Sequence, residues 1–130
     1  MTRVLLPEST QFLLSVNDDP TMEQGLFDWL YENGTVIVRA RSTAKAMELL
    51  GCANYSAVIT NLRRFEFGGM NDNAGIELTQ QLRRVNAHVP IFIYTINIDG
   101  ATRQLALSSG ATMITADPAK LQAGLKECGF

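Results

Sequence analysis

The sequence predicts an α/β fold: a three-layer sandwich with helices on both faces of a five-stranded parallel sheet. Three observations predict it. Short apolar runs rich in β-branched and aromatic residues alternate with longer stretches of helical spacing, five such pairs fit within 130 residues, and one run, Ile91 to Thr95, is continuous rather than alternating. A continuous apolar run belongs to a strand covered on both faces, as in a parallel sheet. Right-handed crossovers then pack five βα units of this size in the strand order 2-1-3-4-5.

Gln11 to Val16 forms the first predicted strand, after which Met22, Leu26, Trp29 and Leu30 fall at i, i+4, i+7 and i+8 on one helix face that ends at Gly34. Thr35 to Arg39 is the second strand, and Ser42 caps a short helix that turns Ala46, Leu49 and Leu50 inward. Ser56 to Leu62 is the third and most apolar strand. A long polar loop follows it, and Leu78, Leu82 and Val85 then line a helix leading to His88. Pro90 opens the fourth strand, where a missing N–H costs no ladder bond, and Ile91 to Thr95 places that strand centrally. Asp99 to Ser109 is a weaker helix and Thr112 to Thr115 a short last strand. Asp117-Pro118 opens the final helix, with Leu121, Leu125 and Cys128 inward. Residues 1–10 read as an N-terminal arm and residues 11–130 as one domain.

Composition narrows the function. With 46% hydrophobic and 18% charged residues the chain belongs to the folded class. A net charge of -2, with arginines scattered along the chain and paired at Arg63-Arg64 and Arg83-Arg84, provides no basic field, so no nucleic-acid partner is expected. The apolar triplet Val4-Leu5-Leu6 is too short for a signal core or a membrane span, so neither export nor a membrane partner is expected. Cys52 and Cys128 stand apart with no CxxC motif, which fits a reducing cytoplasmic location. His88, the sole histidine, has no acid or cysteine at a metal or triad spacing and is expected to be solvated.

In open parallel sheets, functional side chains gather in the crevice outside the carboxyl ends of the strands. The predicted strand ends supply Asn17, Asp18, Asn61, Thr95 and Asp117, and all five are expected to converge there.

Several motifs follow one another in a recognisable order. They are Val16-Asn17-Asp18-Asp19-Pro20, Asn61-Leu62, Gly75-Ile76-Glu77-Leu78, Leu82-Arg83, Pro90 to Thr95, and Gly110-Ala111 through Asp117-Pro118. In this order and spacing the chain, from Gln11 to its C-terminus, resembles the CheY-like receiver domains of two-component response regulators. The resemblance implies a flavodoxin-like fold. It also implies a site made of an acid pair for a divalent ion, an aspartate nucleophile, a hydroxyl, a lysine and a switch aromatic. At those positions this chain has Asn17 with Asp18 retained, Asn61 for the nucleophile, Thr95 for the hydroxyl, Asp117 for the lysine and Ile114 for the aromatic.

The departures have chemical consequences. A carboxamide at Asn61 offers no carboxylate to form an acyl phosphate. Asp18, even with Asp19, leaves a weak ligand set for a hard cation, so no resident metal and no cofactor is expected. Asp117 in place of an ammonium repels phosphate, at a cost of about 4 kcal/mol for like charges 4 Å apart at an effective dielectric of about 20. Ile114 has no polar tip to couple with Thr95. Local readings compete with these: Asp117 before Pro118 reads as an N-cap, Asp18 and Asp19 as acids at a helix start, and Asn61 as a residue that bonds its neighbours.

The expected function is that of a pseudo-receiver, a non-enzymatic and non-phosphorylatable module that binds a protein partner in a phosphorelay-related pathway, with homodimer formation a further option. The segment Arg63 to Asn73 is the candidate docking loop. It carries Arg63, Arg64, Phe65, Phe67 and Met70 around the flexible pair Gly68-Gly69, and no GK[ST] follows to make it a phosphate loop. The alternative for its aromatics is to fold back onto the sheet edge. Two other functions stay open: phosphorylation at Asp18, Asp19 or Asp72, and a small nucleotide-binding enzyme using Glu77 or the strand-end aspartates, with Arg63 and Arg64 steering an anionic substrate.

Overall fold

A computed structural model describes residues 10–19 and 24–130. The expected arm, apart from Thr10, and Met22 lie outside the described residues. In chain order the elements are β1 (Phe12–Val16), α1 (Gln24–Glu32), β2 (Val36–Ala40), α2 (Thr43–Leu50), β3 (Ala57–Thr60), β4 (Arg64–Glu66), β5 (Gly69–Asn71), α3 (Ala74–Arg83), β6 (Ile91–Tyr94), α4 (Gly100–Ser108), β7 (Met113–Thr115) and α5 (Pro118–Glu127). Five strands form one parallel sheet in the order β2-β1-β3-β6-β7. This is the flavodoxin-like order expected from the sequence, with β4 and β5 standing apart as a separate hairpin.

Because successive strand residues point to opposite faces, each central strand feeds two cores. Leu14 and Val16 of β1 join Val58, Ile91 and the inward residues Ala46, Leu78 and Leu82 of α2 and α3. Leu13 joins Ala57, Ile59 and Phe92 against Phe27 and Leu30 of α1 and Leu121 and Leu125 of α5. All four residues of β3 are buried, as a doubly covered strand requires. The helices begin on side-chain caps: Ser42 accepts from the Lys45 N–H at 3.1 Å, Asp99 from Thr102 and Asp117 from Ala119.

Two local expectations are corrected. Val85 does not line a helix: α3 ends at Arg83, Val85 is 73% exposed, and Val89 fills the core in its place. The chain turns there because Asn86 Oδ1 accepts the N–H groups of both His88 and Val89, which competes with helix continuation. The second correction concerns the long polar loop, which is a two-stranded hairpin pairing Arg64 with Asn71, Phe65 with Met70 and Glu66 with Gly69. The chain reverses at Phe67 (φ 53°) and Gly68 (φ 79°), one residue ahead of the glycine pair expected to turn it. Two positive φ values are the signature of the tight turn whose twist matches its flanking strands.

The start of α3 presses on the end of β3. The Gly75 N–H donates to the Leu62 carbonyl at 2.9 Å, and a Cβ on Gly75 would stand 2.2 Å from the Asn61 carbonyl oxygen. Only glycine permits this approach, which sets the backbone of Asn61 against the helix.

Candidate functional site

The ladder continues past the strand ends and positions the residues beyond them. The Asn17 N–H donates to Ala40, that of Asn61 to Val16, and that of Thr95 to Thr115. Four of the five expected residues therefore do come together: Asn17, Asp18, Asn61 and Thr95 line one cleft of about 320 Å³. Asp19, Tyr94 and Ile96 extend its walls, and Arg63 and Met70 close it from the hairpin side.

Asp117 is not among the lining residues. It is exposed, and its carboxylate accepts from the Ala119 N–H at 2.9 Å, which makes it the N-cap of α5. Ile114 is buried in a third cluster with Leu62, Ile76, Ile93, Ala106 and Ala111, and is a packing residue there. Thr95 is half-buried on the cleft wall, and its hydroxyl donates at 3.4 Å to the Ile96 carbonyl.

Asn61 is held from both ends. Three acceptors share the two N–H groups of its amide nitrogen: Asn17 Oδ1 at 3.1 Å, Asp18 Oδ1 at 3.0 Å and the Arg63 carbonyl at 2.8 Å. Its Oδ1 accepts from Arg64 Nη1 at 2.6 Å. With a carboxylate on one side and a guanidinium on the other, the amide has one electrostatically sensible orientation, nitrogen toward the acid and oxygen toward the base.

Arg64 is the residue that the sequence reading misplaced. As a docking-loop or substrate-steering residue it should face solvent, but it is 0% exposed. Its Nε donates to Glu66 Oε1, its Nη1 to Thr60 Oγ1 and Asn61 Oδ1, and its Nη2 to Thr43 Oγ1, each at 2.6–2.8 Å. Glu66, with a side chain only 4% exposed, also accepts from the N–H and the hydroxyl of Thr43, at the N-terminus of α2. Burial by itself raises the Glu66 carboxyl, but the bonds from Arg64 and the Thr43 N–H, together with the Arg64 charge, outweigh it and hold the group below the ordinary glutamate value.

The hairpin thus has a charged inner face and an apolar outer face. Phe65 and Met70 pair across its outer side, 58% and 61% exposed, and Phe67 projects from the tip at 94%. The alternative in which these aromatics fold back onto the sheet edge is not what is seen. The sequence signal for the hairpin was the alternation Arg-Phe-Glu-Phe, charged in and aromatic out, which inverts the usual sense of burial.

The divalent ion implied by the resemblance does not fit this donor set. Asp18 is the one carboxylate retained from that set, and both of its oxygens are engaged, Oδ1 by the Asn61 amide and Oδ2 by the Phe65 N–H at 3.0 Å. The oxygen of Asn61 faces a guanidinium. Among the described residues no group of three His, Cys, Asp or Glu side chains is placed to hold a metal. Among the same residues, no helix is long and apolar enough to cross a membrane.

Residues 13–126 match the family described as Response regulator receiver domain. A transcriptional regulatory protein, PmrA of Pectobacterium parmentieri, is 32% identical over 106 residues, covering 82% of this chain; the chain spans only 45% of that relative's length. Among solved structures, a two-component response regulator from Clostridium difficile superposes with a TM-score of 0.77 at 21% identity, covering 92% of this chain and 95% of that one. The receiver domain of the sensor histidine kinase PA1611 from Pseudomonas aeruginosa, which has a magnesium ion coordinated in its active-site cleft, superposes with a TM-score of 0.74 at 22% identity. The cover there is 93% of this chain and 99% of that one.

Proposed function

Because this chain belongs to the response regulator receiver family, and because its acceptor position holds a carboxamide clasped between an acid and a base, we propose that it is a pseudo-receiver: it takes no phosphoryl group and acts by binding a protein. One observation carries the reading. Asn61, at the end of β3 where the family places its nucleophile, has no carboxylate, and its nitrogen and oxygen are both committed to neighbours.

On this reading Asp18 and Asp72 do not replace it. Asp18 is occupied at both oxygens, and Asp72 lies on the exposed rim 3.8 Å from Arg63. On this reading the chain has no enzymatic activity, and its output surface includes the hairpin. Phe65, Phe67 and Met70 are presented by a segment whose other face is anchored by a buried ion pair, and such preorganisation lowers the ordering cost of binding. A protein partner in a two-component pathway suits a surface of this kind, and the chain's place there is that of an interaction module rather than a phosphoryl carrier.

The test is an amide NMR spectrum recorded with beryllofluoride and magnesium. The reading predicts no change around Asn61, Thr95 and Ile114; chemical-shift changes spreading from β3 to β7 would contradict it.

A further inference from the structure

We infer that Arg64 takes the place of the divalent cation of the receiver site: a guanidinium supplied by the chain itself, charge-paired with Glu66, holds the oxygen of Asn61, and the pocket does not respond to metal. The inference rests on the pseudo-receiver reading and deepens it by assigning which group holds the acceptor-position side chain in place of an ion.

A pocket built from several carboxylates needs a mobile cation to hold them together. Here Asn17 and Asn61 are neutral, which leaves Asp18, bonded to the Asn61 amide, and Asp19 on the wall as the acids of the cleft. The positive charge is already present and fixed. Arg64 Nη1 lies 2.6 Å from Asn61 Oδ1 and 2.8 Å from Thr60 Oγ1, at the end of β3. A guanidinium presents five N–H donors in a rigid plane, and Arg64 uses four of them on acceptors from β3, β4 and α2. A lysine ammonium, a compact point charge on a flexible stem, could not reproduce that fork.

The guanidinium enters as part of a neutral pair. Glu66 is two residues along the same face of β4, and the positive end of α2 holds its carboxylate through Thr43. Asp18 Oδ2, which accepts from the Phe65 N–H, anchors the strand that delivers Arg64. The acid retained from the family's set therefore holds the hairpin rather than an ion. A divalent ion arriving at Asn61 would meet a tethered like charge that cannot leave the site.

The experiment compares two variants of the full chain that carry the same acids in the cleft and differ at the buried pair. Asn17→Asp with Asn61→Asp restores the carboxylates while Arg64 is kept; a second variant adds Arg64→Met and Glu66→Gln, which removes both members of the buried pair. Magnesium is titrated against each and against the wild type, and followed by amide NMR, with manganese broadening as a second probe. The expected result is no site-specific response from the wild type or from the variant that keeps Arg64, and binding at least an order of magnitude tighter once Arg64 and Glu66 are replaced. Equal binding with and without Arg64 overturns the inference. If the fourfold variant does not fold, the twofold variant still decides: magnesium binding there overturns it. The Nε–H signal of Arg64 in the twofold variant provides a further check, since it stays protected from exchange on adding magnesium if the inference holds and loses protection if the ion displaces it. An acyl phosphate on the wild type would defeat the pseudo-receiver reading, whereas metal binding to the twofold variant defeats this inference alone.

Discussion

Arg64 Nη1 donates to Oδ1 of Asn61 at 2.6 Å, while the amide nitrogen of the same residue donates to Asp18 at 3.0 Å. A carboxamide satisfies both neighbours because it has an acceptor at one end and a donor at the other. Asn61→Asp keeps the attraction to Arg64 but sets two carboxylates against each other and leaves Asn17 Oδ1 and the Arg63 carbonyl without that donor. The variant is predicted to lose about 1–3 kcal/mol of unfolding free energy in urea. A gain in stability would mean that the new ion pair with Arg64 dominates the site.

The Arg64–Glu66 pair is buried, so its members depend on each other more than on the rest of the fold. Arg64→Met alone strands a carboxylate and is predicted to cost about 3–5 kcal/mol, whereas Arg64→Met with Glu66→Gln costs much less. A double-mutant cycle by chemical denaturation measures the coupling. Additive single effects would show that the pair is not coupled.

Glu66 also gives the fold an acid limb. Its folded-state carboxyl titrates below the ordinary glutamate value, so its contribution is fully present above the unfolded pKa of about 4.3 and is lost as pH falls through the lower folded value. Unfolding free energy measured as pH falls from about 6, above the unfolded value, should decline less steeply in Glu66→Gln than in the wild type. Parallel profiles would remove Glu66 from the account.

At the hairpin tip, Phe67 holds φ at 53° with its ring 94% exposed, a conformation that suits asparagine or glycine in a tight two-residue turn. Phe67→Asn should therefore stabilise the fold by about 1 kcal/mol. If the hairpin docks a protein as proposed, the same change should weaken that binding, because the projecting ring is lost. Thermal unfolding with and without the substitution checks the first effect, and a binding titration checks the second; lower stability in the variant would show that the aromatic ring supports the hairpin.

Much of this fold could be read from periodicity. Doubly buried strands such as Ala57–Thr60 and Ile91–Tyr94 form continuous apolar runs, and the residues that follow them must lie at one end of the sheet. Asn17, Asp18 and Asn61 were legible for that reason, together with their motif order. Asp117 lies at a strand end too, yet its own helix claims its carboxylate, a competition that position alone does not resolve. The fate of Arg64 was not legible. Burying a guanidinium requires Glu66, Thr43, Thr60 and Asn61 together, and Thr43 lies 21 residues away in the chain. Val85 continued the spacing of Leu78 and Leu82, but Asn86 had already turned the chain.

The central claim is that the end of β3 cannot carry a covalent phosphate. Intact-mass measurement of the full chain after incubation with acetyl phosphate and magnesium tests it most directly. The account predicts an unchanged mass; a stoichiometric gain of roughly 80 Da, removed by hydroxylamine as an acyl phosphate would be, would contradict it.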